Sequence, residues 1–245
     1  MKTKIRMLLI GMALALPVVT RGATSIGIEG SVHDFSTNSW QSRGAICSPC
    51  HDAHNTDVAQ SIPLWAHQTT TGPFTPYSSP SLKAAVGTPS GVSLACLSCH
   101  DGTVGVNAPI GGLGTNAPVL MASINPAAVI GPDLHTTHPI SFTYDANLAA
   151  ADGGLENPTT YKIGDNKTVI TVNTPPVSSA GWQGSSLTGK TIDQAMLFNH
   201  RMECGSCHDV HKMDGNAPSS GILVRISGTD SGNRGSLICR TCHIK

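Results

Sequence analysis

Eight cysteines and eleven histidines are the residues of this 245-residue chain whose spacing points to chemistry. The cysteines form four Cys-x-x-Cys pairs, each followed at once by histidine. The four sets are Cys47, Cys50 and His51; Cys96, Cys99 and His100; Cys204, Cys207 and His208; and Cys239, Cys242 and His243. Cys-x-x-Cys-His is the attachment signature of c-type haem. The two thiols add across the porphyrin vinyl groups as thioethers, and the adjacent imidazole reaches the iron from one face. Zinc knuckles also use paired Cys-x-x-Cys, but their chemistry does not ask for a histidine directly after every pair. The four signatures use every cysteine, so no thiol is left for a disulfide, a cluster or a nucleophile.

Two signatures extend to octapeptides, CSPCHDAH at Cys47–His54 and CGSCHDVH at Cys204–His211. Along one helical turn, residues i and i+3 share a side. His51 and His54 then cannot grip opposite faces of one porphyrin, so His54 and His211 are read as ligands of neighbouring haems. That would fix two haems side by side, as electron hopping requires. Five other histidines remain: His33, His67, His135, His138 and His200. His138 is favoured because Pro139 stiffens its backbone. His33 is favoured by an internal pattern of upstream histidine, octapeptide and plain signature. The pattern runs through His33, Cys47–His54 and Cys96–His100, and again through His138, Cys204–His211 and Cys239–His243, giving possible half-repeats over 23–125 and 126–245. The first choice of distal ligands is thus His33, His54, His138 and His211. His67, His135 and His200 stay open, as do Met121, Met196, Met202 and Met213, whose thioethers would raise the potential.

The elements expected to hold these groups are sparse. Aromatic residues make up 4% and charged residues 12% of the chain, with 26 Gly and 16 Pro. Such a chain builds a large apolar core poorly, and four porphyrins would serve as core instead. The expected fold is mostly irregular: short helices at the signatures, a minor β-hairpin at Tyr161–Asn173 and long loops over haem edges. Val104–Pro132 reads as loop, Thr191–His200 as a short helix, and Trp65 and Tyr77 as haem-packing aromatics. Folding is expected to be coupled to haem attachment, as metal sites couple to folding.

Lys2, Lys4 and Arg6 precede an apolar run, Met7–Val19, that is too short for a membrane span. Residues 1–22 read as a secretory signal peptide, leaving 23–245 as one tetrahaem domain. Removing 1–22 takes Lys2, Lys4, Arg6 and Arg21 from the 15 basic residues, leaving 11 against 15 acidic ones. There is no basic patch, so nucleic acid is not expected as a partner. Export agrees with haem c, which is attached outside the cytoplasm.

CSPCHDAHN, PLW, CLSCHDGTV, HPISFTYD, ECGSCHDVH and the C-terminal CRTCH together resemble secreted multihaem cytochromes of metal-respiring bacteria. With four haems in this length, the chain is most similar to the OmcE-type tetrahaem cytochromes, which polymerise into extracellular filaments. The resemblance covers about residues 30–245. It implies four bis-histidine haems c, no catalysis, a head-to-tail homopolymer, and exchange with other redox proteins or extracellular acceptors. It also implies one axial ligand supplied by the adjacent subunit, and by motif position a distal set of His33, His54, His138 and His211. His33 lies on an N-terminal arm and Cys239–His243 near the other end of the chain. An interface that joins unlike ends without closing gives open filaments, so His33, and after it His138, is expected to cross between subunits. The rival readings are a monomeric tetrahaem shuttle and a multihaem reductase. The second needs an open iron position, often marked by a variant signature ending in Lys, whereas all four signatures here end in His.

Overall fold

The computed structural model describes residues 28–41, 45–54, 56–57, 62–113, 116–163, 187, 189–211, 224–226 and 237–244. The signal-peptide reading of 1–22, most of the expected hairpin (164–173) and Met213 lie outside them.

Coil, turns and isolated bridges dominate. The helices are α1 (Gly91–His100), α2 (Met121–Ile124), α3 (Ala146–Asp152), α4 (Ile192–Met196), α5 (Cys204–Cys207) and α6 (Leu237–Cys242). One two-stranded antiparallel sheet pairs β1 (Phe142–Thr143) with β2 (Arg201–Met202), Phe142 opposite Met202. Among the described residues no helix is long and apolar enough to cross a membrane.

Three of the signatures fall on helices α1, α5 and α6, as expected. The Cys47 signature is a single turn closed by His51 N–H to the Cys47 carbonyl at 2.8 Å. Val104–Pro132, expected as loop, contains α2 and a 3₁₀ turn at Pro126–Ala128. The Asn125 side chain caps that turn by accepting from Ala127 N–H at 3.2 Å, and Pro126 presets the backbone at its start. The helix expected over Thr191–His200 ends at Met196. Thr191 and Gln194 cap its start reciprocally. Beyond it, Asn199 and His200 both take positive φ, the geometry of a tight two-residue reversal. That turn lays Arg201 and Met202 against β1.

The apolar core lies where these pieces meet: Phe142, Tyr144, Ile163, Ile192, Met196 and Met202 are buried there with Leu237 of α6. Burying a side chain such as Ile192 fully is worth about 2 kcal/mol. The Tyr144 hydroxyl donates to the Glu156 carbonyl at 2.6 Å and lies 3.5 Å from that of Cys242, at the end of α6.

A second junction joins α1 to α5. Gly205 lets them approach, because a Cβ there would lie 2.8 Å from Phe198 and 3.0 Å from Val92. The two proposed half-repeats therefore interlock: α1 belongs to the first and α5 to the second.

Candidate haem-attachment sites

Each signature contains one helix-like turn, within a helix for three of them and as a lone turn at Cys47. His51, His208 and His243 donate backbone N–H to the carbonyls of Cys47, Cys204 and Cys239 at 2.8, 3.0 and 2.9 Å, and His100 closes α1. One turn brings residues i, i+3 and i+4 to one side, so both thiols and the imidazole of a signature can meet one flat ligand. Among the described residues, which include all eight cysteines, no disulfide forms.

Three signatures share a further clamp. The carbonyls of Cys50, Cys207 and Cys242 accept from Ala66, Arg225 and Glu156 at 2.9, 2.8 and 2.8 Å. In each case the following histidine bridges the residue before that partner: His51 with Trp65, His208 with Val224, His243 with Leu155. The clamp draws the chain into extended form, and His208 has φ −111° and ψ 144°. The helical premise for His51 and His54 is thus replaced. The second histidine of each octapeptide is aimed by an aspartate turn, with His54 N–H donating to Asp52 and His211 N–H to Asp209, both at 3.1 Å.

Three pairs of imidazoles lie close together, their planes inclined by 51°, 34° and 75°. Ring centres are 6.1 Å apart for His33 and His100, 6.1 Å for His51 and His211, and 6.4 Å for His138 and His243. Two metal–nitrogen bonds of about 2.0 Å, plus about 1.1 Å from each nitrogen to its ring centre, span roughly 6.2 Å when the nitrogens approach from opposite sides. A tetrahedral ion would draw the centres in to about 5 Å. The pairs therefore fit axial ligation on the two faces of a porphyrin. Each joins a signature histidine to one of the four first-choice distal candidates.

The ring hydrogen bonds agree. A carbonyl only accepts, so the Nδ1 atoms of His51, His100 and His138 carry protons toward Pro63, Ala128 and Pro139, each at 2.8 Å. This leaves Nε2 as the lone-pair nitrogen, the usual arrangement of a metal-ligating histidine. His33 is lowered to about 4 by burial, with His100, His208 and His211 adding to the effect. Burial also lowers His208 and His211. Neutral imidazoles are the ligating form. The His33 Nδ1 atom is buried without a hydrogen-bond partner.

The fourth pair is incomplete. Among the described residues neither His208 nor His54 faces an imidazole at this spacing. His54 is exposed, at the rim of a cleft of about 170 Å³ that Trp40, Asp52, Ala66, Asn107 and Pro109 also line. The octapeptides differ here. Arg225 donates to Asp209 at 3.0 Å and to the Gly205 carbonyl at 2.6 Å, bracing the turn that presents His211. Ala66 holds the equivalent clamp position in the first octapeptide and offers no such brace.

Among the described residues none of the other three histidines pairs with a signature imidazole at this spacing. His67 is buried, with ring nitrogens 2.8 Å from the Gln68 carbonyl and 3.0 Å from that of Gly105. His135 and His200 are exposed and bonded to Asp133 and Asp193 at 2.6 and 2.8 Å. Met121 is buried, and Met196 and Met202 belong to the apolar core. Trp65 packs edge-on against His51 at 6.0 Å, and Tyr77 lies beside His138 in a shallow apolar groove. Arg225 and Glu203 were not singled out by sequence, because Asp209 lies 16 residues from the first, and Ser93 and Ser141 lie 110 and 62 residues from the second. No protein-family model and no curated protein matches the chain.

Proposed function

We propose that this chain is a tetrahaem c-type cytochrome that carries electrons outside the cytoplasm and polymerises head to tail. The observation that carries the reading is the set of three opposed imidazole pairs, each including a signature histidine. Cys47 and Cys50, Cys96 and Cys99, Cys204 and Cys207, and Cys239 and Cys242 hold the four haems c, which supply much of the core. His51 with His211, His100 with His33, and His243 with His138 close three irons on both faces. When bound, each haem supplies one-electron exchange between ferric and ferrous iron. Two imidazoles per iron leave no position for a substrate, which favours a carrier over a reductase.

The unpaired histidines support the polymer and change its expected link. His33 and His138 lie beside signature imidazoles of their own chain, which favours another histidine as the crossing ligand. His54 is exposed, and His208 lacks a second imidazole. His54 of one subunit therefore ligates the iron held at His208 of the next. One octapeptide link closes within the chain and the other between chains, which gives an interface that does not close on itself.

Denaturing mass measurement of the secreted protein tests the haem count: four thioether-bound haems are expected, and fewer would refute the tetrahaem reading. His54→Ala should leave four haems attached, one of them high-spin, in a protein that stays monomeric. If that variant still forms long polymers with all haems low-spin, the proposed link is wrong. A native protein that is monomeric when secreted would favour the shuttle instead.

A further inference from the structure

We propose that the Glu203 carboxylate lowers the reduction potentials of two of the four haems, those held at Cys96 and Cys99 and at Cys204 and Cys207. The inference rests on the tetrahaem reading and deepens it.

Glu203 is 3% exposed, and an enclosed charge persists only where its surroundings answer it. Ser93 Oγ and Ser141 Oγ donate to one oxygen, the latter at 2.8 Å, and Arg201 Nε donates to the other at 3.2 Å. These neighbours are all donors, an arrangement suited to an ionised carboxylate. Its position concerns two attachment helices at once. Ser93 stands one turn before Cys96 on α1, and its hydroxyl also accepts from Cys204 N–H at 2.9 Å. Glu203 itself directly precedes Cys204. The carboxylate thus sits in the seam where α1 meets α5, directly beside these two signatures, while the Cys47 and Cys239 signatures stand one step further out, Cys50 near Cys99 and Cys239 near Cys207.

Arg201 offsets this charge incompletely. Its side chain is 35% exposed, and its guanidinium also serves the Ser90 hydroxyl at 3.2 Å and the Ser141 carbonyl. Solvent and salt screen an exposed charge more than an enclosed one. A negative charge at short range in a low dielectric favours the more positive ferric state over the ferrous state, and burial and nearby charge are among the means by which a protein sets haem potential. Glutamine would keep the shape and accept the hydroxyls, but would lack the charge.

Spectroelectrochemical titration of secreted Glu203→Gln and Arg201→Gln, with haems counted by denaturing mass, tests the inference. In Glu203→Gln two of the four one-electron waves should move to higher potential by clearly more than the other two. In Arg201→Gln the same two should move to lower potential. The inference is overturned if no wave moves in Glu203→Gln, if all four move together, or if both variants shift in one direction. Should Glu203→Gln fail to mature, Arg201→Gln decides alone: two lowered waves support the inference, and none lowered overturns it. Four haems with unmoved waves refute the role of Glu203 only. Fewer than four haems in the unsubstituted protein refute the tetrahaem reading, and this inference with it.

Discussion

The imidazoles of His51 and His211 face each other with ring centres 6.1 Å apart and planes inclined by 34°. One belongs to the first octapeptide and the other to the second, so the pair brings together segments far apart in the chain. In the proposed cytochrome this pair forms an iron bridge. His211→Ala is expected to leave all four haems attached and polymers able to form, since His54 and His208 are untouched. One iron, at the Cys47 signature, should become high-spin. A wholly low-spin spectrum with no substitute ligand would contradict the pairing.

The seam between α1 and α5 has no room for a side chain at position 205. Gly205→Ala places a Cβ 2.8 and 2.9 Å from Phe198 ring atoms and 3.0 Å from Val92. Overpacking of this kind costs about 1–3 kcal/mol. Denaturant unfolding should show a lower midpoint with an unchanged slope. A midpoint equal to that of the native protein would mean that the helices separate without cost.

His67 makes stability depend on pH. Burial lowers its pKa from 6.5, with the Gln68 and Gly105 carbonyls pulling in the opposite direction. The unfolded chain binds the proton near pH 6.5, and the folded chain does so only at lower pH. Stability therefore rises with pH through this interval and is lost as pH falls from 6.5 through the folded pKa. His67→Asn should flatten the acid side of the profile. Urea midpoints measured from about pH 7 to about pH 5 decide this, and an unchanged slope would show that His67 does not titrate with unfolding.

Much of the site was legible in the sequence because it is local. The spacing Cys, Cys, His at i, i+3 and i+4 is the spacing of one helical turn, and the structure forms that turn at all four signatures. Each upstream histidine, His33 or His138, lies beside the histidine of the plain signature that follows its octapeptide, His100 or His243. What sequence could not give was long-range choice. The extended clamp at Trp65 and Val224 pulls His51 and His208 out of helix, which no local propensity announces. His33 looked like an unanchored arm because its partner, His100, lies far along the chain. Glu203 and Arg225 read as ordinary polar residues until folding encloses one and sets the other against Asp209. Met196 and Met202 were possible ligands by type alone, and the apolar core claims both.

The carbonyl clamps bear on the order in which such a chain can be assembled. Thiolate is the reactive form of cysteine, yet burial pushes Cys50 up to about 11 and Cys99 up to about 12. Folded thiols of this kind are poor nucleophiles, so in the proposed cytochrome vinyl addition at Cys50 belongs to a stage before its clamp shuts. The clamps also differ in direction along the chain. Ala66 and Arg225 follow the cysteines they secure, so those signatures stay open while the chain is still emerging from its N-terminal end. Glu156 precedes Cys242, so its arm is already waiting when the last signature arrives. In the proposed cytochrome the Cys239 site has the shortest interval for loading, and a chain that folds faster than it is loaded would lack its haem there first.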